Sequence, residues 1–188
     1  MSLKKIVIFA SGSGSSAENI LLSYKNTSEI IVSKLYCDKP KAFVLQRIKK
    51  YNVETLVFNS EELNDGFVLR DLNKISPDLI VLAGFLKKIP ENIIHAFENK
   101  IINIHPSLLP KYGGKGMYGL NVHRSVIKNK DSESGFSIHY VNKDYDEGSI
   151  IFQKNVKVGT DDPQILANKV LIQEHKYYPE IIKKILYD

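Results

Sequence analysis

A chain of 188 residues has the length of one ordinary domain, with enough material to bury a core. Its 43% apolar and 25% charged content excludes a disordered tail, and its longest apolar stretches, Ile6 to Ala10 and Leu79 to Leu86, fall far short of the roughly 20 residues of a membrane-spanning helix. The net charge of +5 is spread evenly, with 13 basic side chains in each half and only three arginines (Arg47, Arg70 and Arg124), so no nucleic-acid surface is expected.

The amino end, Met1-Ser2-Leu3-Lys4-Lys5, runs at once into a short apolar segment without the longer apolar region and small-residue cleavage site of a secretory signal, and a cytoplasmic protein is expected. Lys5 to Ala10 reads as a strand covered on both faces in a parallel sheet. Ser11-Gly12-Ser13-Gly14-Ser15-Ser16 follows, and Ala17, Ile20, Leu21 and Tyr24 then recur at helical spacing. The unit repeats with strands at Ile30 to Cys37, Glu54 to Phe58 and Leu79 to Ala83, and helices at Lys41 to Tyr51 and Phe67 to Lys74. Such alternation predicts a parallel α/β sheet of the Rossmann type.

Beyond residue 90 the style changes. A short helix is expected after Pro90, a strand at Ile101 to His105, a helix at Val122 to Lys128, and mixed strands at Gly135 to Val141 and Ile150 to Val158. A long helix from Pro163 to Tyr187 closes the chain, and Pro179 is predicted to kink or interrupt it. The single cysteine, Cys37, reads as a small core residue, and the chain has neither Cys-x-x-Cys nor His-Glu-x-x-His spacing, so neither a disulfide nor a metal site is expected.

Three segments could carry chemistry. The glycine loop presents free N–H groups and the positive end of a helix, which suits a phosphate monoester, with the hydroxyls of Ser11, Ser13, Ser15 and Ser16 adding donors. Two other readings stay open: a dinucleotide fingerprint, Gly12-x-Gly14-x-x-Ala17 with Asp38 as the ribose-binding acid, and a mere tight turn. In the strand at Ile101 to His105, alternation points Asn103 and His105 to one side, and Pro106 and Pro110 stiffen the segment after them. The pair fits a catalytic couple, or a buried pair satisfied by structural hydrogen bonds. The polar loop Asn142 to Gly148 would bring a carboxylate, Asp146 rather than Asp144, to an imidazole on the neighbouring strand, raising its pKa and orienting it.

These segments, with Leu82-Ala83-Gly84-Phe85-Leu86, Asn103-Ile104-His105-Pro106-Ser107-Leu108-Leu109-Pro110-Lys111, Asp146-x-Gly148 and Gln173-Glu174-His175, resemble the phosphoribosylglycinamide formyltransferases, folate-dependent enzymes of purine synthesis. The resemblance implies transfer of a formyl group from 10-formyltetrahydrofolate to the amine of glycinamide ribonucleotide, without a metal. It implies Asn103, His105 and Asp146 as the catalytic trio and Gly12, Ser13, Gly14, Ser15 and Ser16 at the substrate phosphate, with Glu174 at the ribose. Leu86, Lys87, Lys88, Ile89 and Val141 would line the folate pocket together with Asn103 and Asp146. In this scheme Asp146 keeps His105 charged, His139 is a structural partner, and His95 and His123 have no assigned role. Ser16 and Lys87-Lys88 stand where relatives often carry Asn and Arg, and Arg70 is a candidate for the folate tail.

The chain is accordingly expected to form a single formyltransferase domain, residues 1–100 binding phosphate and 101–188 carrying catalysis and folate. It would act on small molecules as a monomer or weak homodimer. The glycine-rich stretch from Lys111 to Gly119 is expected to be a mobile lid. Rival readings are a formyltetrahydrofolate hydrolase, another formyltransferase, a nicotinamide-binding oxidoreductase and a non-catalytic phosphate-binding module.

Overall fold

The apolar runs become the strands of one seven-stranded sheet in the computed structural model, which describes residues 2–160 and 162–188. Met1, part of the stretch read above for a targeting signal, lies outside the described residues, as does Asp161. The strands are β1 (Lys4–Phe9), β2 (Ile30–Cys37), β3 (Glu54–Val57), β4 (Leu79–Leu82), β5 (Ile101–His105), β6 (Glu133–Tyr140) and β7 (Ile150–Lys157), in the spatial order β3-β2-β1-β4-β5-β6-β7. The first five pair in parallel, and β6 and β7 add antiparallel. The expected α/β class, with a Rossmann-like parallel half extended by mixed strands, is what the chain adopts.

Helices cover both faces, which explains why β1 and β4 read as continuous apolar runs. Ile6, Ile8 and Ala10 join one core cluster with α1 (Ser15–Tyr24), α2 (Phe43–Arg47), α6 (Leu120–Lys128) and α7 (Pro163–Tyr187). Val7 and Phe9 join the other with α3 (Ser60–Asn64), α4 (Phe67–Ile75) and α5 (Glu91–Ala96). Phe9 is fully buried, stacked on Tyr36 with ring centroids 4.5 Å apart. Burying a side chain of this size contributes roughly 2–3 kcal/mol.

Three expectations are corrected. The helix predicted from Lys41 to Tyr51 is two pieces, α2 and a 3₁₀ turn at Lys49–Tyr51 that ends at Asn52 with φ 54°. Helix α3 was not expected, although Asn59-x-x-Glu62 signals it: the Asn59 side chain accepts from the Glu61 and Glu62 N–H groups while Glu62 accepts from the Asn59 N–H. Pro179 does not interrupt α7, which is helical from Pro163 to Tyr187. Proline has no N–H for the carbonyl one turn back, that of His175, and Asn19 Nδ2 of α1 donates to that carbonyl at 2.6 Å instead. The Tyr24 hydroxyl, also from α1, donates to the Pro179 carbonyl at 2.6 Å.

The strand order reverses its direction of growth between β1 and β4. At such a switch point the loops leaving the two strands part to opposite faces and open a crevice at the carboxyl ends of the strands. The loop after β1 is the glycine loop, and the one after β4 is Gly84 to Ile89. They are tied together by Ser11, whose N–H donates to the Gly84 carbonyl (3.0 Å) and whose Oγ accepts from the Leu86 N–H (3.1 Å).

Candidate active site

The crevice widens into a cavity of about 620 Å³. Ser13, Ser15 and Ser16 form one end, Leu86, Lys87, Lys88 and Ile89 one wall, Asn103 and His105 the floor, and Val141 and Asp146 the opposite wall, with Glu174 contributed by α7. Gly12 and Gly14, expected at the substrate, do not line it. Gly14 has φ 76° and sits against Val44, while Gly12 is exposed and meets Val44 only through its carbonyl, which accepts the Val44 N–H. Asp38, the acid of the dinucleotide alternative, is also absent from the walls, as is Arg70 on α4. Among the described residues, no group of three or more His, Cys, Asp or Glu side chains is arranged to hold a metal ion.

The floor follows from strand pairing. Asn103 on β5 lies opposite His139 on β6, so two polar side chains meet across one face of the sheet. His139 Nδ1 is 2.8 Å from the Tyr140 carbonyl, and since a carbonyl only accepts, that nitrogen carries the proton. His139 Nε2 then faces Asn103 Nδ2 at 3.2 Å and orients the amide. His105 is fixed in the same way: its Nε2 is 2.7 Å from the Tyr112 carbonyl and therefore bears a proton. Its Nδ1 is left facing Asp146 Oδ2 at 3.5 Å.

Asp146 closes the constellation. Oδ2 also accepts the Gly114 N–H at 2.9 Å, and Oδ1 lies 3.5 Å from Asn103 Nδ2 and 3.6 Å from His139 Nε2. Burial alone would raise its carboxyl, but His139 and His105 in their protonated forms and the Gly114 N–H hold it below the usual range, so it is ionised at neutral pH. His105 behaves differently from expectation. Burial pushes its pKa down, and the opposing pull of Asp146 and the Tyr112 carbonyl does not overcome that. His123 on α6 also lines the cavity, and burial with the nearby His105 lowers it to about 4.

Two contacts had no sequence signal because they are made by backbone: the Tyr112 carbonyl on His105 and the Gly114 N–H on Asp146. Both come from the glycine-rich stretch after Lys111. The backbone at Gly113 runs so close that a Cβ there would meet Leu109 Cδ2 at 2.7 Å and Asp146 Cβ at 3.3 Å. The first part of that stretch is thus pinned to the Asp146 carboxylate and the His105 imidazole.

Glu174 is 8% exposed, and burial raises its carboxyl to about 7. Folding disfavours its ionised form: the native protein keeps the proton up to about pH 7, whereas the unfolded chain releases it near 4.5. The contribution to stability is therefore greatest below about pH 4.5, declines as pH rises, and has lost roughly 3 kcal/mol above pH 7. Glu174→Gln removes this titration. The Tm of the variant relative to the unaltered protein is expected to rise by roughly 6–12 °C between pH 4.5 and pH 8 in calorimetry. A difference independent of pH contradicts the assignment.

With this geometry in view, comparison with known proteins gives a family. The family profile described as formyl transferase matches residues 4–182. The chain belongs to the formyl transferase family. It is 34% identical over 191 residues to phosphoribosylglycinamide formyltransferase of Bacillus subtilis, an alignment covering 98% of this chain and 95% of the relative. It is 36% identical to the chloroplastic phosphoribosylglycinamide formyltransferase of Arabidopsis thaliana over 97% of its own length. It spans 65% of that plant protein and 61% of its counterpart in Vigna unguiculata. The crystal structure of phosphoribosylglycinamide formyltransferase from Anaplasma phagocytophilum superimposes with a TM-score of 0.89 at 31% identity, covering 98% of this chain and 88% of that one. No helix among the described residues is long and apolar enough to cross a membrane.

Proposed function

We propose that this chain transfers the formyl group of 10-formyltetrahydrofolate to the amine of glycinamide ribonucleotide, a step of purine biosynthesis. The observation that carries the reading is the meeting of Asn103 and His105 from β5 with Asp146 from the β6–β7 loop inside a cavity with a serine-lined anion end and an apolar, lysine-edged wall. Ser13, Ser15 and Ser16 receive the phosphate at the start of α1, where the first-turn N–H groups have no carbonyl a turn back to bond. Glu174 takes the ribose hydroxyls. Leu86 to Ile89 and Val141 hold the folate, with Lys88 Nζ over the Tyr145 ring at 5.9 Å from its centroid.

The amine attacks the formyl carbon, a C–N bond forms, and negative charge grows on the formyl oxygen. Asn103 Nδ2, held at 3.2 Å by His139 Nε2, turns its other hydrogen to that oxygen, and each such donor typically contributes roughly 3–4 kcal/mol to the transition state. His105, with its Nε2 proton held by Tyr112, offers Nδ1 as the relay for the proton that the attacking nitrogen gives up, charged while the oxyanion persists and neutral again once that proton reaches the folate nitrogen. Asp146 orients that imidazole and holds a water that passes the proton of the attacking nitrogen to the folate nitrogen as the old C–N bond breaks. The chain works as one domain, residues 1–100 holding the ribonucleotide phosphate and 101–188 carrying catalysis, in the cytoplasm and as a monomer or weak homodimer. Of the Lys111 to Gly119 stretch expected as a lid, the part beyond the pinned Gly114, Lys115 to Gly119, opens and closes over the cavity.

Ligand titration tests this reading against a dinucleotide enzyme. Glycinamide ribonucleotide is expected to raise the Tm, and NADH and NADPH fluorescence to stay unchanged on adding protein. Enhanced nicotinamide fluorescence with no effect of the ribonucleotide contradicts it.

A further inference from the structure

Helix α2 clasps the glycine loop at three points. The Val44 N–H donates to the Gly12 carbonyl at 3.1 Å, the Val44 side chain occupies the space a Cβ on Gly14 would need, and Arg47 Nε–H donates to the Ser13 carbonyl at 2.8 Å. The same guanidinium lies 5.1 Å from the centroid of the Phe43 ring and donates through a second nitrogen to Glu18 Oε2 at 2.7 Å. Glu18 stands in the first turn of α1, where its charge would oppose a bound anion. Lys50, at 2.7 Å from Oε1, and Arg47 offset that charge while holding the carboxyl ionised, down to about 2. Neither Arg47 nor Glu18 lines the cavity, so neither acts by touching substrate.

We propose that Arg47 is a positioning residue for phosphate binding: by fixing the Ser13 carbonyl it presets the direction in which the following Ser15 and Ser16 N–H groups meet the anion. The inference rests on the phosphate-loop reading of the preceding subsection. A guanidinium suits the task because its fork serves a carbonyl and a carboxylate at once from a planar, stacked position. A lysine ammonium at the end of a flexible stem keeps the charge without that fork.

Steady-state kinetics with inorganic phosphate as a competing probe test it. Arg47→Met is expected to raise the KM for the ribonucleotide and the inhibition constant of phosphate by roughly tenfold, the scale of one hydrogen bond to a charged group. The kcat at saturation and the KM for the formyl-folate should stay within about twofold, because the trio is untouched. Arg47→Lys, which retains the charge and the fold, is expected to show the same split at smaller size. The double variant Arg47→Met/Glu18→Gln should remain as weak as Arg47→Met. Recovery of ribonucleotide affinity in the double variant overturns the proposal in favour of simple charge cancellation. A matching loss in kcat and in both KM values, with a lowered Tm, overturns it in favour of a general structural role. If phosphate competes with the ribonucleotide in the unaltered protein but its inhibition constant is the same in both single variants, the Arg47 inference alone fails. If phosphate does not compete even there, the phosphate-loop reading fails and this inference with it.

Discussion

Asp146→Ala is expected to lower formyl transfer by at least about a hundredfold while ribonucleotide binding persists. The carboxylate is 3.5 Å from His105 Nδ1 and from Asn103 Nδ2 and accepts the Gly114 N–H at 2.9 Å, so its removal loosens the imidazole, the amide and the glycine-rich stretch together. His105→Ala should cost a similar factor. The two losses should not multiply in the double variant, because residues that act as a unit are strongly non-additive. Turnover numbers, set beside calorimetric titration with the ribonucleotide, separate catalysis from binding. Turnover within a few-fold of the unaltered enzyme in either single variant contradicts the assigned roles.

Gly148→Ala should damage the same network from behind. A methyl group at Gly148 would overlap the Tyr140 carbonyl oxygen and come within 2.7 Å of its carbon and 3.5 Å of His139 Nδ1. That carbonyl takes the His139 Nδ1 proton at 2.8 Å, and the Tyr140 N–H is bonded to the Ser149 carbonyl at 2.9 Å, so strand and loop are already fixed to each other. Relief requires the backbone two residues beyond Asp146 to move. Overpacking of this kind costs roughly 2–4 kcal/mol, which for a protein of this size lowers the Tm by about 5–15 °C. A displaced Asp146 should reduce kcat by about tenfold to a hundredfold. Calorimetry and turnover check both, and an unchanged Tm would mean that the loop yields without cost.

The sequence made the floor of the site legible because strand geometry is periodic. Asn103 and His105 are two apart on a five-residue strand, and alternation alone points them the same way. The glycine loop was legible for a related reason: an apolar run, glycines and a helical period follow one another in the order of a first crossover. What could not be read was which residues of the loop face the cavity. Gly14 lies behind it because Val44, thirty residues later, packs there, and a long-range contact leaves no local pattern. The continuity of α7 through Pro179 has the same origin, since it depends on Asn19 reaching the freed His175 carbonyl. The charge state of His105 turned on a balance of magnitudes. Asp146 was identified as its neighbour, but the depth of burial that outweighs that neighbour depends on packing from the whole fold.

Formyl transfer measured directly is the most decisive experiment. Purified protein mixed with glycinamide ribonucleotide and 10-formyltetrahydrofolate is expected to give the absorbance change of deformylated folate, in one-to-one yield with formylated ribonucleotide and only when both substrates are present. Release of formate from the folate at the same rate without ribonucleotide, or no absorbance change with both present, would contradict the account.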